Sequence, residues 1–243
     1  MKITYLYHSG FMVEFDKVSI VIDYFSFGLG PLPSALERAL ADSSRRLYVL
    51  ASHNHADHFD SRILSFERTH RNVTYVLCTD IAKEAARLGT PKSVQYINVG
   101  ESFKDGNIGV QAFGSTDEGL SFLINADGKS IFHAGDLNNW HWNEECTPEE
   151  SATFEANYLA ELEKLAAHTQ ALDVAMFPVD PRLGKDYMRG AEQFVARIKT
   201  KCFIPMHFGE KYNDANAFKP IAEKYGTKFF EISDKGQPIK MED

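Results

Sequence analysis

The chain has 243 residues, and 26 Lys and Arg against 34 Asp and Glu leave a formal net charge of −8, which argues against nucleic acid as a partner because phosphate backbones are held by clustered cations. Hydrophobic residues at 44% and charged residues at 25% exclude a disordered or collagen-like chain, and the length suits a single domain spanning residues 1–243. No apolar run approaches the ~20 residues of a membrane span, the opening segment lacks the apolar core of a signal peptide, and Cys78, Cys146 and Cys202 are too dispersed for a disulfide framework or a thiolate metal site, so a cytoplasmic protein with no membrane partner is expected.

The chain opens with strand patterns at 3–7, 11–15 and 18–23, separated by Ser9-Gly10 and Asp16-Lys17, the signature of an antiparallel meander. A Gly/Pro-rich loop at 27–33 leads to Ser34 as the cap of a helix through Ala41, and a short apolar strand, 47–51, follows. Helices are predicted at 60–68 and 80–88, the second stopped by Gly89, with a strand at 73–77 between them. Residues 93–132 return to strands with turns at 104–107 and 126–128. A long helix over 147–168 comes next, with Tyr158, Leu159, Leu162 and Leu165 as its core face. A strand at 173–177, a helix at 190–198 and a final buried strand at 202–206 complete the pattern. Strands with helices, then strands with helices again, predict an α/β, four-layer αββα sandwich of two mixed sheets with helices outside.

The chemistry concentrates at His53-Asn54-His55-Ala56-Asp57-His58. Core packing does not produce four metal-competent side chains in six residues, because His and Asp are costly to bury unless paired or ligating. Imidazole nitrogens with carboxylate oxygens suit zinc or a similar divalent ion, and manganese or iron also fit these donor types. Spacing of two puts His53 and His55 on one side of an extended segment, and Asp57 and His58 come round on the following turn.

This segment resembles the H-x-H-x-D-H signature of the metallo-β-lactamase superfamily. His133-Ala134-Gly135-Asp136 resembles its segment delivering a bridging aspartate, and Ile204-Pro205-Met206-His207 resembles its late histidine strand. The branch it looks most like holds ascorbate-phosphate lactonase and related hydrolases, through the stretch 173–178 and the Ile-Pro-Met-His. The resemblance implies the metallo-β-lactamase fold. It also implies His53 and His55 on one metal, Asp57, His58 and His207 on a second, and Asp136 bridging. The activity it implies is metal-dependent hydrolysis, with zinc the expected ion: hydroxide generated on the ion cleaves a small ester, lactone or phosphorylated metabolite, with Asp57 orienting the water. A phosphodiesterase acting on a lipid or nucleotide, and a degenerate non-catalytic metal-binding protein, are the alternatives.

One position departs from the family. Thr116 stands where another histidine ligand is expected, within Phe113-Gly114-Ser115-Thr116-Asp117-Glu118-Gly119. Either a nearby carboxylate or histidine substitutes, or one site is weak. After Asp136, the segment 138–143 holds both tryptophans, Trp140 and Trp142, a candidate substrate wall, and His141, a candidate proton donor to the leaving group. His8 lies at the first turn, in a position resembling one near the metal. Arg182 and Lys185 are candidates for holding an anionic group of the substrate.

Overall fold

The structure, a computed structural model, describes residues 1–26 and 30–241; of the predicted loop at 27–33, residues 27–29 lie outside the described residues. The chain forms two compact units, Met1–Asn98 with the stretch from Asp234 onward, and Val99–Ser233.

The first unit contains β1 (Lys2–Tyr7), β2 (Gly10–Glu14), β3 (Val18–Ile22), α1 (Ser34–Ala41), β4 (Arg46–Ala51), a 3₁₀ segment (Ser61–Arg68), β5 (Val73–Cys78), α2 (Ala82–Leu88) and β6 (Val94–Ile97). The second contains β7 (Ser102–Lys104), β8 (Ile108–Phe113), β9 (Ser121–Ala126), β10 (Lys129–His133), α3 (Pro148–His168), β11 (Ala171–Pro178), a 3₁₀ segment (Pro181–Asp186), α4 (Arg189–Arg197), β12 (Lys199–Met206), α5 (Tyr212–Asn216), α6 (Lys219–Lys224) and β13 (Lys228–Phe229). The last strand, β14 (Pro238–Lys240), returns to the first unit and pairs antiparallel with β1.

Each unit is built on one mixed sheet. The first runs β14-β1-β2-β3-β4-β5-β6, antiparallel as far as β3 and parallel from β3 to β6. The second runs β13-β12-β11-β10-β9-β8-β7, parallel from β10 to β13 and antiparallel from β7 to β10. Strand β3 is buried at every position, and β4 at all but its first, as expected for the continuous apolar runs of parallel strands. In both units the residues with metal chemistry follow the carboxyl ends of these parallel strands, where open α/β sheets present their ligand sites.

The predicted meander, strands and long helix are present. Helix α3 begins with Pro148 behind a capping box in which Thr147 and Glu150 satisfy each other's backbone N–H groups. Four details differ. Ser34 is already inside α1, whose cap position is Pro33 and has no side-chain bond. The segment after Asp60 is 3₁₀, with the Asp60 carboxylate accepting the Arg62 N–H. Leu159 is exposed while Tyr158, Leu162 and Leu165 are buried, because it is one position, about 100° of helix rotation, off their stripe. The strand ending at Met206 is not the last; β13 and β14 are too short and polar for periodicity to reveal them.

Candidate metal centre

In the first unit, the histidine loop leaves β4 and is held at several points. The Ser52 N–H donates to Asp23 Oδ1 at 2.7 Å, the Asn54 N–H to Asp80 Oδ2 at 2.9 Å, and the His58 N–H to the His55 carbonyl at 3.0 Å. Asp23 directly follows β3 in the left-handed region (φ 45°), a strained conformation that Asp tolerates better than most residues. Its N–H reaches the Leu50 carbonyl, which sets its carboxylate beside Ser52.

That carboxylate organises two imidazoles. His58 Nδ1 lies 2.8 Å from Asp23 Oδ2, and Ser52 Oγ lies 2.7 Å from the same oxygen. Ser52 Oγ is in turn 2.9 Å from His53 Nδ1. The hydroxyl has one proton, and an ionised carboxylate can only accept, so Ser52 donates to Asp23 and accepts from His53. Both histidines then carry their proton on Nδ1 and present the Nε2 lone pair, the form that binds a metal. Asp23, Ser52, His53 and His58 are all fully buried. The His53 ring is 4.6 Å from that of His55 and 4.3 Å from that of His58, centroid to centroid. His55 is exposed, and the half-exposed Asp57 has its Oδ2 3.3 Å from His8 Nε2.

The second unit repeats the device. Asp136 follows β10 after Gly135, whose φ of 53° makes the sharp turn, and His207 follows β12 at φ 64°. His207 Nδ1 lies 2.8 Å from Asp180 Oδ2, which places the ring proton there. Its Nε2 faces Asp136 Oδ1 at 3.1 Å. An imidazole nitrogen and a carboxylate oxygen turned toward one point need a proton or a cation between them, and this donor set fits a divalent metal. Arg182 clamps the same oxygen, with Nε 2.9 Å and Nη2 2.5 Å from Oδ2, and its Nε also lies 3.0 Å from Oδ1. Burial pushes the Asp180 carboxyl up, but hydrogen bonds and charge from His207 and Arg182 outweigh it and hold it at about 2.

A carboxyl depressed in this way stabilises the fold above its unfolded pKa near 3.8 and ceases to do so as pH falls toward 2. In chelator-treated protein, Asp180→Asn should therefore flatten the loss of stability across that range by about 2 kcal/mol, read from urea midpoints at successive pH values.

Three candidate residues take other roles. Thr116 does not face a ligand position with a spare hydroxyl: its Oγ1 donates to the Asn138 carbonyl at 2.5 Å and accepts the Asn138 N–H at 3.0 Å. It clamps the segment that follows Asp136. His141, expected as a proton donor, is fully buried; its Nε2 lies 3.1 Å from the Asp186 carbonyl and its Nδ1 accepts the Asn143 N–H at 3.2 Å. Both nitrogens are engaged with backbone, so His141 pins two loops together and the proton-donor expectation is corrected. Arg182 is bound to Asp180, and Lys185 is exposed on the 3₁₀ segment.

The clamped segment is also pressed against α4. A Cβ added at Gly190 would come within 2.0 Å of Asn138 Oδ1 and 2.8 Å of the Asn139 nitrogen. Gly190→Ala should destabilise the protein by about 1–3 kcal/mol, visible as a lower urea midpoint at unchanged slope.

Trp140 donates its indole N–H to the Asp136 carbonyl at 2.8 Å, and its ring meets His207 edge-on at 5.5 Å. With Trp142, Phe154, Thr116, Asp117 and Arg182, these two residues line a cavity of about 210 Å³. The remaining three histidines have structural surroundings: buried His70 bonds the Asp42 carbonyl and the Asn72 N–H, buried His133 accepts the Gly135 N–H at Nδ1, and His168 ends α3 against Phe113.

Asp23, Ser52 and Asp180 are the positioning residues that sequence reasoning missed. For the two aspartates the available signal was an acidic residue soon after an apolar strand.

Residues 25–208 match the family described as the Beta-lactamase superfamily domain. The chain belongs to the metallo-β-lactamase superfamily. It is 28% identical over 261 residues to a UPF0173 metal-dependent hydrolase of Pelotomaculum thermopropionicum, covering 99% of this chain and 100% of that one. The fold resembles that of Igni18, a metallo hydrolase from Ignicoccus hospitalis, at a TM-score of 0.70 and 22% identity, covering 100% of this chain and 98% of that one. It also resembles CmlA, a diiron beta-hydroxylase from Streptomyces venezuelae, at a TM-score of 0.70 and 14% identity, covering 99% of this chain and 54% of that one. Together with the family match these likenesses establish the α/β metallo-β-lactamase fold that the resemblance implied. Among the described residues, no helix is long and apolar enough to cross a membrane.

Proposed function

We propose that this superfamily member is a cytoplasmic metal-dependent hydrolase of a small ester or lactone, acting as one domain, with zinc as the favoured ion. The observation that carries the reading is the pair of carboxylates, Asp23 and Asp180, that fix Nδ1 protonation on His58 and His207 at 2.8 Å each. A buried carboxylate that holds the far nitrogen of an imidazole is the support that metal-ligating histidines use. His53 and His55 serve one cation position, Asp57, His58 and His207 a second, and Asp136 both, following the family order of motifs. Iron remains a chemical fit, in keeping with the diiron protein of similar fold, and manganese fits the same donors.

When bound, the cation supplies Lewis acidity and lowers the pKa of water to about 7. Asp57, half-exposed at the loop, orients the attacking water and accepts its proton. Ser52 and Asp23 hold His53 and His58 by Nδ1 and keep Nε2 aimed. Asp180, itself clamped by Arg182, does the same for His207. The engaged hydroxyl of Thr116 favours a weaker first position, lacking one ligand, over a threonine ligand.

The test is hydrolysis by purified protein of benzyl acetate, a simple lactone and bis(p-nitrophenyl) phosphate, with zinc, manganese or iron and with chelator. Turnover of the ester or lactone that needs the metal and disappears in Asp57→Ala is expected. Absence of metal-dependent turnover of all three would overturn the enzyme reading and favour a binding protein; turnover of the phosphodiester alone would replace the substrate class.

A further inference from the structure

Three aromatic side chains, Trp140, Trp142 and Phe154, line the cavity beside His207. Trp140 and Trp142 lie nearly parallel, 15° between planes and 6.3 Å between centroids. Trp142 is held there at φ 42°, a strained backbone conformation for a bulky residue. Phe154, on α3, lines the cavity and keeps 37% of its surface exposed. At about 210 Å³ the space exceeds the roughly 150 Å³ apolar cavity known to admit benzene, so it admits one ring with a short substituent.

Its charges argue against an anion. The Arg182 guanidinium is already balanced by the Asp180 carboxylate through Nε and Nη2. Asp117, exposed at the rim, adds a negative charge that a phosphate or carboxylate would meet. Aromatic faces and edges recognise a ring by offset or edge-on contact without needing charge.

We propose that this cavity is the subsite for a small uncharged aromatic group, so that the substrate carries such a group rather than a phosphate. Calling the occupant a substrate rests on the hydrolase reading above; binding of the ring does not. Substrate selection then comes from Trp140, Trp142 and Phe154, and Arg182 acts as the support of Asp180 and His207.

The experiment uses the full chain, whose only two tryptophans both line the cavity, so intrinsic fluorescence reports on it directly. Benzyl alcohol, cyclohexanol and inorganic phosphate are titrated separately into zinc-loaded and chelator-treated protein. A saturable change in emission with benzyl alcohol, weaker with cyclohexanol and absent with phosphate, is the expected result. Phe154→Ala, at a partly exposed helix position where folding is preserved, should weaken benzyl alcohol binding about five-fold.

A response to phosphate but not to benzyl alcohol would overturn the proposal, as would unchanged binding in Phe154→Ala or no saturable response. A second arm compares kcat/KM for benzyl acetate and butyl acetate, with the benzyl ester expected to be preferred. If benzyl alcohol binds and no ester is hydrolysed with any ion, the hydrolase reading fails and the subsite stands. If both esters are hydrolysed equally and benzyl alcohol does not bind, the subsite fails and the hydrolase reading stands.

Discussion

Asp23→Asn should lower zinc affinity by about ten- to a hundred-fold while leaving the protein folded. Asparagine keeps the size of the side chain and tolerates the left-handed backbone at φ 45°. It retains one acceptor oxygen, however, and the aspartate uses both: Oδ1 receives the Ser52 N–H, and Oδ2 receives Ser52 Oγ and His58 Nδ1. Whichever way the amide is turned, one donor meets an NH₂, and the imidazoles lose their anchor at Nδ1. Asp23→Ala goes further, because the Ser52 N–H, its hydroxyl and His58 are left buried without that acceptor; about 3 kcal/mol of stability should disappear as well. Competition against a chromophoric zinc chelator reads the first effect and urea unfolding the second. Wild-type zinc affinity in Asp23→Asn would show that the hydrogen-bond chain to His53 and His58 does not prepare them for metal.

Asp136→Asn separates function from stability in the opposite direction. Facing His207 Nε2 at 3.1 Å, the Asp136 carboxylate is a favourable partner for a cation and an unfavourable one for a neutral imidazole lone pair. An amide there donates to that lone pair. In the presence of chelator, the variant should be as stable as the wild type or more so, the stability–activity exchange common at functional sites. Hydrolysis should fall by at least about a thousand-fold, the equivalent of several kcal/mol of lost metal-assisted stabilisation. Urea midpoints in chelator and ester turnover in zinc make the two measurements. Destabilisation of the metal-free protein would show that Asp136 is a structural turn residue.

The parts of the site that were legible in the sequence are those defined by residue type. Residues 53–58 announce metal chemistry by their composition alone, and the family resemblance adds Asp136 and His207, which stand at the ends of apolar strands. The fold followed from the alternation of strand and helix patterns.

What could not be read are relations between positions distant along the chain. Asp23 meets His58 across 35 residues and Ser52 across 29, while Asp180 meets His207 across 27. Only the pairing of β3 with β4, and of β11 with β12, brings them together. The same limit explains His141 and Thr116. A histidine beside two tryptophans suggests proton transfer, but its ring nitrogens go to Asp186 and Asn143. A threonine in a ligand's place suggests a defect, whereas its hydroxyl closes both backbone groups of Asn138. Arg182 looked like an anion holder because its partner, Asp180, had no signal beyond its place after an apolar strand.

The central claim is that these histidines and aspartates hold a divalent metal, and metal content measured by inductively coupled plasma mass spectrometry tests it most directly. Purified wild-type protein, reconstituted with zinc and desalted, should retain one to two ions per chain, and His207→Ala should retain measurably less. Wild-type protein that holds no zinc after reconstitution, or a His207→Ala variant that holds as much as the wild type, would contradict the account.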